Sequence, residues 1–385
     1  MSDRLKLPPK RDFGFYQRRK HDKWREVPAP SPALEASVAD SHAHVHMLPD
    51  PAWELARCAA NGVDFICMIV DPSEDGSRPF DELDSWVADS LGALNGRATD
   101  NLTHKSENVA QNCGIPQNQS EKSGENATLM VGSASADQKQ VLFEAESAEY
   151  REFVTKNDSE AKNSVSITPK VRIATGVHPH NARLYDVGME DMLLERLADS
   201  RVVALGEIGL DYHYDLSPRD VQRNVFKRQI ELAQRLGLPI CLHLRGGEDP
   251  VADNAHKQAF DILKEHDALG PRTLLHCCTL SPDELAPWVD AGCYIAFGGA
   301  VTFKNADAAR EGVRMVPESR LLFETDSPYM TPEPMRGATC TPAHIIFTAA
   351  AIAEMRGLTP GHERERFLKQ VHDNTLSFYG VGLEG

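Results

Sequence analysis

The sequence lacks the features of a secreted, membrane-spanning or nucleic-acid-coating protein. It has no apolar run of about 18 residues and no segment that resembles a secretory signal. The net charge of −16 excludes a protein that covers nucleic acid with a basic surface, because phosphate binding needs cations. The eight cysteines include no C-x-x-C pair, and several stand inside apolar runs, which indicates buried reduced thiols. We therefore expect a cytoplasmic protein with no membrane partner.

Two segments are poor in apolar residues and lie outside any repeating pattern. Residues 1–35 show no apolar periodicity and carry a basic stretch from Arg18 to Arg25, which predicts a flexible basic arm, with nucleic acid as one candidate partner. Residues 95–168 are rich in Asn, Ser, Gln and Glu, and their few apolar side chains cannot offset the entropy cost of ordering. We predict a mostly disordered insertion there, with at most one helix near 137–154. The remainder of 36–380 is enough for one barrel domain.

Eight short apolar or β-branched runs alternate with helical patterns through that domain. The strand-like runs are 37–42, 63–70, 171–177, 201–206, 238–243, 272–276, 292–297 and 320–325. The helical patterns are 51–61, 187–199, 218–236, 252–268, 281–290, 305–315, 342–356 and 361–377. Continuous apolar runs are typical of parallel strands buried on both faces. The alternation predicts an α/β fold of the (β/α)8 TIM barrel class, since a doubly wound sheet would need a Gly-rich loop after the first strand.

Six side chains of types that bind metals stand near the ends of these runs. They are His42, His44, Glu207, His243, His276 and Asp326. In a barrel of parallel strands the C-terminal ends converge on one face, so residues distant in sequence can meet there. His42 and His44 are two apart on a strand and point to the same side, where two imidazoles can chelate a divalent ion. Any one histidine could instead be structural, but six such coincidences favour a metal-dependent hydrolase.

The motifs around these residues resemble the TatD family of metal-dependent deoxyribonucleases, which are amidohydrolase-like barrels. They are Asp40-Ser-His-Ala-His44, Gly176-Val-His-Pro179, Gly206-Glu-Ile-Gly-Leu-Asp211, Leu242-His-Leu-Arg245, His276-Cys-Cys-Thr279 and Glu324-Thr-Asp-Ser-Pro328. The resemblance covers about 36–70 and 171–380. The sequence departs from the family pattern at Cys278, where an aromatic residue is usual, and in the 336–342 loop, which lacks the usual Lys and Asn.

The resemblance implies a centre of two divalent ions, which would be Mg²⁺, Mn²⁺ or Zn²⁺. His42, His44, Glu207 and Asp326 would hold one ion, and Glu207, His243 and His276 would hold the other, with Glu207 bridging. Two ions about 3.5–4 Å apart can hold both the attacking and the leaving oxygen of a phosphodiester. Asp326 would orient the attacking water and accept its proton, so Asp326 and Glu207 are the candidate catalytic residues.

Two residues near the predicted mouth are candidate substrate contacts. His178 ends the third strand-like run, where it could face a pocket or be a structural histidine. Arg245 could bind a phosphate through two nitrogens, or it could pair with an acidic side chain on the rim. The remaining histidines are expected to be surface or structural residues, with His180 and His213 nearest the mouth.

These features predict a hydrolase that removes nucleotides from DNA ends, in a pocket whose positive charge comes from metal. A second hypothesis keeps the metal centre but changes the bond to a carboxylic ester or amide, for example the ester of an aminoacyl-tRNA. The absence of a Lys at a strand end disfavours a bridging carboxylated Lys and so favours the first hypothesis. A scaffold on a relict barrel, with the arm and insertion as binding segments, is disfavoured because all six ligand-type residues are present. The oligomeric state stays open, and a monomer is compatible with the sequence.

Overall fold

A pair of short strands lies in the N-terminal arm of the structure, a computed structural model that describes residues 13–14, 17–20, 23–26, 31–111, 168–249 and 251–382. These strands, β1 (Gln17–Lys20) and β2 (Lys23–Glu26), pair antiparallel. Upstream of β1, the Phe13 ring stacks on Trp53 with 4.8 Å between ring centroids. The predicted flexibility of residues 1–35 stays a prediction.

Eight further strands form a parallel sheet in which each strand pairs with the next along the chain. They are β3 (Val38–Ala43), β4 (Val63–Val70), β5 (Lys170–Thr175), β6 (Val202–Asp211), β7 (Ile240–Arg245), β8 (Thr273–Leu275), β9 (Tyr294–Phe297) and β10 (Leu321–Phe323). The order of the strands in the sheet, from β3 to β10, is the order along the chain. The prediction of a (β/α)8 barrel is confirmed, and each of the eight strand-like runs contains a strand.

The barrel closes through backbone hydrogen bonds just beyond its first and last strands. The Asp326 amide donates to the His42 carbonyl at 2.9 Å, and the His44 amide donates to the Ser327 carbonyl at 2.8 Å. Ala43 and Ser327 form an isolated parallel bridge at the same place. The seam that closes the barrel is therefore made by the same segments that carry three of the candidate ligands.

Helices connect most successive strands of the barrel, and the last two helices follow the final strand. They are α1 (Pro51–Ala60), α2 (Pro72–Asp75), α3 (Arg78–Gln111), α4 (Val187–Leu197), α5 (Arg219–Leu236), α6 (Ala255–Glu265), α7 (Pro282–Asp290), α8 (Asp307–Met315), α9 (Ile345–Met355) and α10 (His362–Phe378). The predicted 218–236 stripe is α5, which ends where Gly237 adopts a left-handed φ of 68°. Across the described part of the chain, the helices do not combine the length and apolar character needed to cross a bilayer.

Apolar residues on the two faces of the strands pack into two separate clusters. The larger cluster lies between strands and helices and includes Phe226 of α5. The smaller cluster holds the alternate strand residues, such as Phe65 and Cys241, and therefore fills the barrel interior. Tyr379, just after α10, joins this interior cluster and donates its hydroxyl to the Ser41 carbonyl at 2.6 Å. Because side chains fill the interior, a substrate can reach the strand ends but not the lumen.

The cysteines follow the expectation of buried thiols without disulfides. The seven cysteines that the structure describes are free, and all but Cys277 are buried. Burial raises the pKa of the Cys241 thiol to about 12, which keeps this group protonated near neutral pH.

The connection between β4 and β5 contains, after the short α2, a long helix that the sequence did not predict. Helix α3 buries Phe80, Leu83 and Trp86 against the barrel core and continues past residue 95, the predicted start of the insertion. The spacing of these apolar residues suits a helix, but the polar residues between them make the pattern hard to recognise in the sequence. Contacts divide the chain into Met1–Ala93 with Thr168–Gly385 as one unit and Leu94–Ile167 as another. Residues 112–167, with the helix predicted near 137–154, lie outside the described residues.

Candidate metal centre

All six predicted ligand-type side chains meet at one end of the barrel, with Glu207 in the middle of the group. Its Oε2 atom is 3.5 Å from Nε2 of His42 and 4.0 Å from Nε2 of His44. Its Oε1 atom is 2.7 Å from Nδ1 of His243 and 2.8 Å from Nε2 of His276. The two oxygens of one carboxylate thus face two different pairs of imidazoles, and each pair with Glu207 is close enough to hold an ion.

Asp326 lies against the first of these pairs. Its Oδ1 atom is 3.5 Å from Nε2 of His44 and 3.9 Å from Nε2 of His42. Two ligands of one cation, each about 2.0–2.2 Å from it, stand about 3–3.5 Å apart. These separations therefore suit a shared cation better than direct hydrogen bonds. The φ of Asp326 is 53°, a left-handed conformation that Asp adopts more readily than most residues.

The environment of His42 gives independent evidence on whether a cation fits this space. The side chain is fully buried, and neither ring nitrogen has a hydrogen-bond partner among the described residues. An unpaired buried polar atom costs about 1–3 kcal/mol. Burial and the neighbouring His276 lower the pKa of His42, so the ring is neutral at pH 7, the form in which imidazole binds metals. A divalent ion between His42 and Glu207 would satisfy the free Nε2 atom.

The prediction that Glu207 ends its strand is wrong, because β6 continues to Asp211. The pairing of β6 with β7 is irregular between Leu205 and Ile208, where Glu207 lies, and such irregularities re-aim side chains next to active sites. A Cβ atom at Gly209 would stand 2.0 Å from the His243 carbonyl oxygen, so only glycine allows β7 to approach this closely. The glycines that make 206–211 look like a strand end instead allow two ligand-bearing strands to pack.

The carboxylates of the centre are held ionised by the surrounding histidines. Burial alone would raise the pKa of Glu207, but the neighbouring imidazoles, His276 above all, bring that pKa well below its usual range. Burial is opposed in the same way at Asp326, where the neighbouring His44 contributes most to a lowered pKa. Two buried negative charges side by side make this end of the barrel attractive to a cation.

Two further buried carboxylates fix the backbone around the centre. Glu324 accepts a hydrogen bond from the Cys277 amide at 2.7 Å, and its other oxygen is 3.6 Å from Nδ1 of His276. Asp40 accepts from the amide and the hydroxyl of Thr325, at 3.0 and 2.6 Å. Glu324 therefore supports a candidate ligand, and Asp40 ties β3 to the segment after β10.

A buried carboxylate behind His243 belongs to the site, although the sequence did not assign it a role. Oδ2 of Asp211 is 3.1 Å from Nε2 of His243 and 2.9 Å from Nε2 of His180. With the proton of Nε2 held by Asp211, the Nδ1 atom of His243 would be the one to bind a metal, in place of its 2.7 Å hydrogen bond to Glu207. His180, expected to be a surface or structural residue, thus lies inside the site. Its position two residues after His178 was the signal available in the sequence.

The two predicted substrate contacts lie beside the centre in different environments. The His178 ring is 4.2 Å from the His243 ring, centroid to centroid, and its Nδ1 accepts from the His180 amide at 3.2 Å. Burial and the charge of His243 lower the pKa of His178 well below its usual range, so this ring is neutral. Arg245 is exposed, and its guanidinium lies 4.8 Å from the centroid of the Tyr214 ring. An aromatic stack therefore takes the place of the acidic partner considered for Arg245.

Comparison with known proteins adds sequence relatives and fold neighbours. The family description "TatD related DNase" matches residues 39–380. YabD of Bacillus subtilis, named an uncharacterized metal-dependent hydrolase, is 41% identical over 188 residues, which are 48% of this chain and 70% of YabD. The similarly named YcfH of Escherichia coli K12 is 39% identical over 190 residues, 49% of this chain and 67% of YcfH.

Two solved structures are similar in fold. YjjV of Escherichia coli, described as a TatD homolog, superposes with a TM-score of 0.57 at 21% identity, over 90% of this chain and 98% of that one. A TatD family hydrolase from Entamoeba histolytica gives a TM-score of 0.58 at 16% identity, over 90% and 99%. At these identities the likeness supports the barrel architecture and nothing finer.

Proposed function

Because this chain belongs to the TatD family of metal-dependent hydrolases, we propose that it cleaves phosphodiester bonds and removes nucleotides from DNA ends, using two divalent ions. The observation that carries the proposal is the arrangement at Glu207, whose two oxygens face two separate pairs of imidazoles. A carboxylate so placed suits a pair of ions, and pairs of ions are typical of enzymes that cleave phosphodiesters. The ions are Mg²⁺, Mn²⁺ or Zn²⁺.

The ligand set follows from the same distances. One ion would be held by His42, His44 and Asp326, and the other by His243 and His276, with Glu207 shared between them. Ionised carboxylates and a neutral His42 suit these metals, and the pKa directions at Glu207, Asp326 and His42 favour those forms. Burial lowers the pKa of His44, His243 and His276, but the nearby carboxylates raise it overall, so a metal ion would have to displace protons from these rings. The mixed nitrogen and oxygen donors are compatible with all three ions named above.

The residues around the centre have distinct tasks in the proposed reaction. Bound divalent ions lower the pKa of a nearby water to about 7 and polarise the phosphoryl oxygen. Asp326, with a side chain 14% exposed at the mouth, orients the attacking water and accepts its proton. His178 is neutral and can donate from Nε2 to a phosphate oxygen, while Arg245 supplies a positive charge at the rim. The filled barrel interior restricts the substrate to the mouth.

A substitution at Asp211 tests the tautomer argument. In Asp211→Asn, the amide can donate as well as accept, so the His243 proton is no longer held on Nε2. We expect metal affinity to fall about 10- to 100-fold, the usual loss when an outer partner of a metal ligand is replaced. Titration calorimetry with Mn²⁺ on metal-stripped protein measures this loss. Asp215→Asn is the matched control, because Asp215 is exposed and pairs with Arg219 outside the centre; equal affinity in both variants would reject the argument.

The proposed activity is tested by restoring metals to stripped protein. Single-stranded DNA labelled at either end is incubated with the stripped protein alone and after addition of Mg²⁺, Mn²⁺ or Zn²⁺. We expect shortening from one end only when a metal is restored, and loss of that activity on chelation. An aminoacyl ester is incubated in parallel. Cleavage of the ester without any shortening of DNA would reject the nuclease and favour the alternative hydrolase.

A further inference from the structure

An exposed aromatic ring stands at the mouth beside the proposed metal centre. Tyr214 keeps 54% of its surface exposed. The His180 ring meets it edge-on with 5.4 Å between centroids, and the Arg245 guanidinium lies 4.8 Å from its centroid. The ring is thus in contact with two neighbours, while a large part of its surface stays open to a ligand.

Asp211 fixes the position of this ring relative to the centre. Its Oδ1 atom accepts from the amides of His213 and Tyr214, at 2.9 and 2.8 Å. Its Oδ2 atom faces Nε2 of His243 at 3.1 Å. One fully buried carboxylate therefore ties the backbone that carries the ring to the proposed metal ligand. The backbone that carries the ring is therefore linked through Asp211 to His243, which is the arrangement expected if ring and metal act on one substrate.

We infer that Tyr214, with Arg245 stacked against it, binds a nucleobase next to the scissile phosphodiester of a single-stranded nucleic acid end. The inference rests on the proposed function and names the substrate class of the same site. Every base has a π face, so an exposed tyrosine can stack any base. Arginine strengthens such a stack by a cation–π contact and can neutralise the adjoining phosphate.

The same geometry disfavours a base inside a duplex. A paired base is stacked on both sides by its neighbours, and exposing its face costs a few kcal/mol of unstacking and unpairing. A single strand or a frayed end exposes that face at much lower cost. The polar surroundings of the ring, with His180, His213 and Arg245 around it, suit a charged nucleotide better than an apolar ligand.

The test combines substitutions of the ring with removal of the base. Tyr214→Ala, Tyr214→Phe and Leu216→Ala are prepared as metal-loaded proteins. Leu216→Ala is the matched control, because Leu216 is exposed on the same loop to a similar degree, 51%, but carries no ring. Binding is measured by fluorescence anisotropy with single-stranded oligonucleotides that end in slowly cleaved phosphorothioate linkages. Each oligonucleotide carries either a normal base or an abasic sugar at the terminal or the penultimate position, and kcat and KM are measured on the cleavable counterparts.

We expect Tyr214→Ala to bind the base-bearing end about 5- to 150-fold more weakly than the wild type, as when a stacking ring is removed. Tyr214→Phe and Leu216→Ala should keep wild-type affinity. At one of the two positions, wild type and Tyr214→Ala should bind the abasic end equally weakly. Equal losses on base-bearing and abasic ends would overturn the inference, because Tyr214 would then act through Arg245 and the phosphates.

The failure of the stacking site and the failure of the proposed nuclease give different results. Base-dependent binding that requires Tyr214, without shortening of any DNA, would uphold the stacking site and reject the nuclease. Cleavage of base-bearing and abasic ends at equal rates, unchanged in Tyr214→Ala, would uphold the nuclease and reject the stacking site. A loss in Leu216→Ala as large as in Tyr214→Ala would also reject it, since the loop and not the ring would be responsible.

Discussion

Glu207→Gln is expected to remove both metal ions and to abolish detectable cleavage of DNA. The amide keeps the size of the side chain but has one oxygen and no charge, so it cannot bridge two ions. The substitution removes the anion that both imidazole pairs share. Oε2 of Glu207 lies 3.5 and 4.0 Å from His42 and His44, and Oε1 lies 2.7 and 2.8 Å from His243 and His276. The loss in kcat/KM should exceed the about 10- to 100-fold typical of outer partners of metal ligands. Elemental analysis after dialysis measures metal content beside the kinetic assay.

Glu324→Gln is the matched control for this substitution. Glu324 is also a fully buried glutamate of the same region, but its oxygens face the Cys277 amide and His276. We expect this variant to keep both ions and to lose activity only within the range of an outer partner. Metal-free melting temperatures show whether each variant folds. A Glu207→Gln protein that folds and still holds two ions would refute the bridging role.

Asp326→Asn is expected to lower kcat about 10²- to 10⁴-fold, the usual contribution of a positioned acid or base. Asparagine keeps the shape of the side chain and tolerates the left-handed φ of 53°, so the backbone should stay in place. The variant loses a proton acceptor, and the ion beside His42 and His44 should bind more weakly. The ion between His243 and His276 should remain. Steady-state kinetics and metal content, measured on the same preparation, separate these effects.

Asp267→Asn provides a control with the same change at nearly the same backbone geometry. Asp267 has a φ of 51° and follows α6, where it does not belong to the group around Glu207. Its substitution should leave kcat and both ions unchanged. If Asp326→Asn turned over DNA as fast as this control, the proton of the attacking water would have to go to another group.

The barrel could be predicted because its strands are buried on both faces and therefore appear as unbroken apolar runs. A run such as 63–70 can be recognised as a strand from its own residues, without knowledge of the strands that pair with it. The two features that were missed depend on tertiary packing instead. β6 continues beyond Glu207 because Gly209 lets β7 approach closely, although two glycines and a charge read as the end of a strand. Helix α3 is anchored on one face by Phe80, Leu83 and Trp86, and their spacing was masked by polar neighbours.

The ligand-type residues of the candidate site could be predicted from the sequence, but the residues that support them could not. Histidines and carboxylates near strand ends can be recognised one motif at a time, and the barrel geometry then brings them together. The role of Asp211 could not be recognised in this way, because it depends on contacts with His180 and His243 at separations of 31 and 32 residues. The same holds for Tyr214, which is an ordinary loop residue in the sequence. Its importance depends on the stack with Arg245.

We expect the seam between β3 and the segment after β10 to couple the order of unfolding to metal occupancy. The amides of His44 and Asp326 and the carboxylate of Asp40 are the groups that join the two ends of the sheet. An ion bound by His42, His44 and Asp326 would join the same two segments through their side chains. Metal binding is then also a closure of the chain, and its free energy adds to the stability of the whole barrel. In the metal-free protein, the pairing between β3 and the segment after β10 should open first. These amides should then exchange with solvent ahead of those in the middle of the sheet.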